Sequence, residues 1–242
     1  MSEVQVPNGT TSVPTYVAQP AGEGPWPGVV VLHDAFGMDD DVRRQSEWLA
    51  SAGFLAAAPD LFSWANTLLC IRAVFKELKA RRGRVFDEVD AVRSWLAADP
   101  RCSGAVGVVG FCMTGGFALL LAKDHGFAVS SVNYGQIPGD LDRAIEGTCP
   151  IVASFGAKDM QLRGAAATLE RALEAAGVPH DVKEYAGARH GFMNQHDRPV
   201  WRLMERMGAV KYAEEAADDA RRRIVAFFSE HLGPRHRHPE TS

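Results

Sequence analysis

A short valine-rich run, Ala105-Val106-Gly107-Val108-Val109, leads into Gly110-Phe111-Cys112-Met113-Thr114-Gly115-Gly116, and an alanine- and leucine-rich run, Phe117 to Lys123, leads out again. The first run has the composition of a buried strand and the last that of a packed helix, so the cysteine falls at the joint between them. Glycines on both sides suit a sharp turn with no room for side chains, and a thiol set there meets the unpaired N–H groups of the following helix. This is the pattern of a nucleophile elbow, with Cys112 as nucleophile. Reading the thiol only as a small apolar core residue leaves the glycine spacing unexplained.

The rest of the chain repeats the alternation of apolar runs and helix-period segments, which predicts a parallel sheet with crossover helices. Val4 to Val6 and Val13 to Gln19 are read as edge strands, Gly28 to His33 as a buried strand, Val42 to Ala52 as a helix and Phe54 to Ala58 as the next strand. A helix over Asp87 to Ala98 precedes the elbow strand; strands over Ala128 to Asn133, Ile151 to Phe155 and Asp181 to Tyr185 follow, with helices over Ala165 to Ala176 and Tyr212 to Leu232. The expected architecture is a single α/β domain over residues 1–233, a mostly parallel central sheet flanked by helices on both faces. Residues 234–242 read as a flexible polar tail in which His236 and His238 are solvated rather than metal-binding.

The chain has 242 residues, with 46% hydrophobic and 23% charged residues, a balance that excludes disordered and fibrous classes. A net charge of −4 with scattered Lys and Arg offers no surface to a phosphate backbone, so nucleic acid is not an expected partner. Residues Met1 to Tyr16 lack a basic start with an apolar core, and no run approaches the roughly 18 apolar residues of a membrane span. A cytoplasmic protein without membrane contact is expected. Cys70, Cys102, Cys112 and Cys149 form no CxxC pair and are expected to be free thiols.

A cysteine nucleophile needs a base, a group that orients the base, and donors for an oxyanion, all drawn from loops at the strands' C-terminal ends. His190 follows the last predicted strand in the loop Gly187-Ala188-Arg189-His190-Gly191-Phe192 and is the candidate base. Asp159, just after the Ile151 to Phe155 strand, is the candidate orienting carboxylate. The candidate oxyanion donors are the backbone N–H groups of Met113, after the nucleophile, and Ala35, in His33-Asp34-Ala35-Phe36-Gly37. Asp34 carries two readings: a carboxylate near the thiol that modulates it, or a turn aspartate like Asp39, Asp40 and Asp41.

With these residues in place the chain resembles the dienelactone hydrolase family of the α/β-hydrolase superfamily over nearly its whole length. His33 to Gly37, Ala58-Pro59-Asp60-Leu61, the Gly110 to Gly116 elbow, Gly156 to Asp159 and His190-Gly191-Phe192 carry the resemblance. It implies an α/β-hydrolase fold and a Cys112-His190-Asp159 triad that opens a small ester or enol-lactone through an acyl-thioester, without metal or organic cofactor. Three positions depart from the family pattern: Asp34 replaces a glutamate beside the thiol, Asn194 an arginine that grips a substrate carboxylate, and Thr114 a glycine. Between Phe62 and Arg84, Trp64, Leu68, Leu69 and Phe75 are candidates for an acyl site, and Arg72, Arg81, Arg82 and Arg198 for an anionic substrate group. The competing readings are a thioesterase or general carboxylesterase, and a non-catalytic binding or redox-sensing module on the same fold.

Overall fold

The computed structural model describes residues 1–64 and 67–233. Its strands are β1 (Ser2–Asn8), β2 (Thr11–Ala18), β3 (Trp26–Leu32), β4 (Leu55–Pro59), β5 (Cys102–Phe111), β6 (Val129–Asn133), β7 (Ile151–Gly156) and β8 (His180–Tyr185). Its helices are α1 (Asp40–Ser51), α2 (Thr67–Ala80), α3 (Arg84–Ala98), α4 (Met113–Leu121), α5 (Leu141–Ile145), α6 (Ala165–Ala175), α7 (Pro199–Arg206) and α8 (Glu214–Leu232).

The strands make one sheet in the order β1-β2-β4-β3-β5-β6-β7-β8. β3 to β8 run parallel, while β1 and β2 pair antiparallel at one end. β2 is therefore not the edge strand expected from its position, because it sits between β1 and β4. Alternate side chains of each strand feed opposite faces: Val30 and Leu32 of β3 enter one core with Val89, Phe117 and Leu169, and Val29 and Val31 enter the other with Leu49, Ile224 and Phe228. α1 and α8 thus cover one face and α2 to α6 the other, which explains why β3 and β5 are rich in valine along their length.

Local chemistry sets the ends that matter for the site. Asp39 is the N-cap of α1, its carboxylate accepting from the Asp41 and Val42 N–H groups, a contact worth about 0.5–2 kcal/mol. The Phe62 to Arg84 segment contains α2, whose apolar side is narrow: Cys70 and Val74 are buried, whereas Leu69 and Phe75 are 51% and 42% exposed. Those two face solvent, and Trp64 packs against the core while its indole N–H donates to Leu61 O. The Leu68 side chain, His236, His238 and the rest of 234–242 lie outside the described residues. Short α5 buries Leu141, Ala144 and Ile145, whereas α7, opened by Pro199, buries only Trp201.

Candidate active site

β5 runs to Phe111 and α4 starts at Met113, leaving Cys112 alone between strand and helix with φ 57° and ψ −118°. A non-glycine residue there costs about 1–3 kcal/mol and persists only when its surroundings enforce it. Cys112 N donates to Asn133 O at 3.0 Å and Gly115 N donates to Cys112 O at 3.0 Å. A Cβ on Gly110 would lie 2.1 Å from Thr114 O, and one on Gly115 would lie 2.7 Å from Asn133 O, so both positions require glycine. Thr114, the departure from the family's glycine, is fully buried and its hydroxyl accepts from Phe111 N at 3.1 Å while facing Leu32 O and Phe111 O at 3.1 and 3.0 Å. It braces the elbow against β3.

β7 and β8 deliver the partners. His190 Nε2 stands 3.1 Å from Cys112 Sγ, and its Nδ1 stands 2.6 Å from Asp159 Oδ2. The other Asp159 oxygen accepts from Gln161 N at 3.0 Å, which fixes the buried carboxylate, and α6 is capped by Gly164 instead. Burial pulls the His190 pKa down, but the hydrogen bonds to Asp159 and to the sulfur outweigh it and raise it to about 10. The imidazole is thereby held as a donor to the carboxylate on one side and to sulfur on the other. The ring also lies edge-on to Tyr134, centroids 5.4 Å apart.

Among the described residues, the N–H groups of Ala35 and Met113 have no acceptor within the protein. The Ala35 turn is organised from below by His33, whose Nδ1–H donates to Asp34 O at 2.7 Å and whose Nε2 accepts from Leu61 N at 3.1 Å. This requires the neutral ring, and full burial does push its pKa below the ordinary value. Asp34 takes its turn role: Oδ1 accepts from Phe36 N at 2.8 Å and Oδ2 lies 2.7 Å from His196 Nε2. Neither oxygen is hydrogen-bonded to Cys112 among the described residues.

Asn194 is 2% exposed and its amide donates to Asp41 Oδ2 at 2.6 Å while its oxygen accepts from the Tyr134 hydroxyl. It stitches the His190 loop to α1 and is spent on that role. Arg81 pairs with Asp140, Arg198 Nε lies 3.7 Å from Asp39, and Arg72 and Arg82 are exposed. No local sequence pattern marks His196; its place in the loop that carries His190 is the one signal available.

A model of the dienelactone hydrolase family matches residues 13–232. The chain belongs to the dienelactone hydrolase family. It is a hydrolase of the ester- and lactone-cleaving kind on an α/β-hydrolase fold. A provisionally named carboxymethylenebutenolidase of Azospirillum brasilense is 29% identical over 246 residues, covering 96% of this chain and 100% of that protein. Another, from Yersinia pestis, is 26% identical over 248 residues, covering 95% and 88%. Among solved structures, a provisionally identified dienelactone hydrolase of Klebsiella pneumoniae is 25% identical with a TM-score of 0.77, covering 95% of this chain and 98% of that one. The dienelactone hydrolase of Anabaena variabilis, 18% identical with a TM-score of 0.69, covers 96% and 97% and shares the fold.

Proposed function

We propose that this dienelactone hydrolase family member cleaves small esters or lactones by a Cys112-His190-Asp159 triad through an acyl-thioester. The observation that carries the reading is His190, bonded on one nitrogen to Asp159 and on the other to the Cys112 sulfur. With its proton resting on His190 Nε2, the Cys112 sulfur attacks the carbonyl carbon; the carbonyl oxygen takes the electron pair and accepts from the Ala35 and Met113 N–H groups. As the tetrahedral adduct collapses, the C–O bond to the leaving group breaks and His190 returns the proton to that oxygen. Water then attacks the thioester with His190 taking its proton, and the acid leaves as the C–S bond breaks and the Cys112 sulfur and protonated His190 are restored.

The electrostatics favour this two-stage use of one histidine. Burial lowers the His190 pKa, while the Asp159 hydrogen bond and then the hydrogen bond and charge of the sulfur raise it. Acylation neutralises the sulfur and removes that influence, so the ring hands its proton to the leaving oxygen more easily and is left neutral, able to take one from water.

The test is hydrolysis of p-nitrophenyl acetate, p-nitrophenyl butyrate and a dienelactone by wild type and Cys112→Ala, with mass spectrometry of the quenched enzyme. Turnover of any member together with an acyl adduct on wild type, both lost in Cys112→Ala, is the expected result. Turnover of the butyrate ester without the dienelactone would move the reading to a general carboxylesterase. An equally active Cys112→Ala, or a reactive thiol with no turnover at all, would overturn the triad.

A further inference from the structure

Beyond His190 in the same loop, His196 is a second histidine, and its side chain has no solvent exposure. Both ring nitrogens face carboxylates: Nε2 lies 2.7 Å from Asp34 Oδ2 and Nδ1 lies 2.8 Å from Asp39 Oδ2. A neutral imidazole carries one N–H and would turn a lone pair toward one of these acceptors, so the pair of contacts calls for the imidazolium. Phe36 and Trp201 close over the ring, with centroids 4.5 and 4.6 Å away. Burial opposes the cation, and the two carboxylates outweigh it, raising the His196 pKa to about 10.

A buried charge cluster of this kind is weak evidence for stability, because desolvation consumes most of the attraction. Its location is more telling. Asp34 and Phe36 flank Ala35 in the chain, and His196 touches both. The second Asp34 oxygen closes the turn on Phe36 N, so the side chain that shapes the Ala35 turn is the one His196 holds. Asp39, on the opposite side of the ring, is the N-cap of α1 and ties the other end of the same loop.

We infer that His196 is a positioning residue for the oxyanion hole: clamped between Asp34 and Asp39 and packed on Phe36, it keeps the Ala35 N–H aimed at the developing oxyanion and locks that turn to the loop bearing His190. This rests on the hydrolytic reading of Cys112 and adds the device that preorganises its donor. A donor fixed before the reaction costs no reorganisation when charge develops, which is where its rate advantage comes from.

Two reactions of the same sulfur separate this role from a merely structural one. Alkylation by iodoacetamide forms a carbon–sulfur bond at a saturated carbon and expels iodide, with no oxyanion. Acylation by p-nitrophenyl acetate passes through one. For His196→Gln the expected result is a kcat for the ester about 10- to 100-fold lower with KM within about threefold, and an alkylation rate within about twofold of wild type. Asp39→Asn, which keeps a good N-cap, shows a smaller loss with the same split.

Parallel loss of alkylation and acylation in the variants overturns the inference, since His196 would then hold up the whole site rather than the donor. Unchanged acylation overturns it as well. If His196→Gln does not fold, Asp39→Asn decides by the same split. A wild-type enzyme that is alkylated at Cys112 yet cleaves no ester overturns the underlying hydrolytic reading; an active wild type with an equally active His196→Gln overturns only the role given to His196.

Discussion

His190 Nε2 lies 3.1 Å from Cys112 Sγ although 78 positions separate the two residues in the chain. β5 and β8 end on the same rim of the sheet with β6 and β7 between them, and Asp159 enters from the end of β7. A hydrogen-bonded line from carboxylate to imidazole to sulfur thus crosses that rim, with the Ala35 turn after β3 on the other side of the elbow. The geometry gives each of the following changes a distinct expected outcome.

Asp159→Asn removes the charge that orients His190 and favours its protonated form, while leaving the elbow intact. The expected loss in kcat is on the order of 10²- to 10⁴-fold, with the melting temperature little changed. Steady-state kinetics on an ester that wild type cleaves checks it; a loss of less than about tenfold would mean that Asp159 does not serve the histidine.

Thr114→Val keeps the shape of the buried side chain and deletes the hydroxyl that accepts from Phe111 N and faces Leu32 O. Leaving those backbone groups unpaired costs about 1–3 kcal/mol, and Thr114→Ser recovers most of it. Urea unfolding of the two variants reads the difference. Equal stability of valine and serine would show that the hydroxyl does not brace the elbow.

Asn194→Leu strips partners from the buried Asp41 carboxylate and from the Tyr134 hydroxyl. A stability loss of about 1–3 kcal/mol for each orphaned group is expected, while the order of preference among neutral esters stays as in wild type. Calorimetry with a substrate panel tests both halves. A stable variant with altered substrate preference would place Asn194 against the substrate instead.

Stability is expected to fall as pH rises above neutrality. His190 and His196 titrate near 10 in the folded protein and from an ordinary value of 6.5. The native state therefore holds protons that the unfolded chain has released, so this stabilisation is complete below pH 6.5, declines above it and is gone past about 10. Around His196 the carboxylates of Asp34, Asp39 and Asp41 favour the proton and Arg198 near Asp39 acts against it. Melting temperatures measured from pH 6 to about 10 should converge for wild type and His196→Gln toward the alkaline end. A gap that stays constant with pH would show that His196 is not charged in the native protein.

Much of this protein was legible in its sequence. Valine-rich runs alternating with helix-period segments are enough to specify a mostly parallel sheet covered on both faces, because burial on two sides favours apolar residues along the interior strands. Gly110 and Gly115 mark the elbow, since a Cβ on Gly110 would run into Thr114 O and one on Gly115 into Asn133 O. His190 and Asp159 follow from their places just beyond predicted strands. Local pattern alone was therefore enough for the fold class, for the elbow that carries Cys112 and for the loops that carry Asp159 and His190.

Contacts between segments far apart in the chain were not legible in this way. Asp34 pairs with His196 rather than with the thiol, Asn194 is consumed by Asp41 and Tyr134, and β2 inserts between β1 and β4. A carboxylate or an amide looks the same in sequence whether it faces substrate or a buried partner, because its role depends on which loop packs against it. Local pattern specifies which residues can be buried and how the backbone turns; the partner each buried polar group finds is settled only when the β3–α1 turn and the His190 loop close on one another and every desolvated donor and acceptor has to be satisfied.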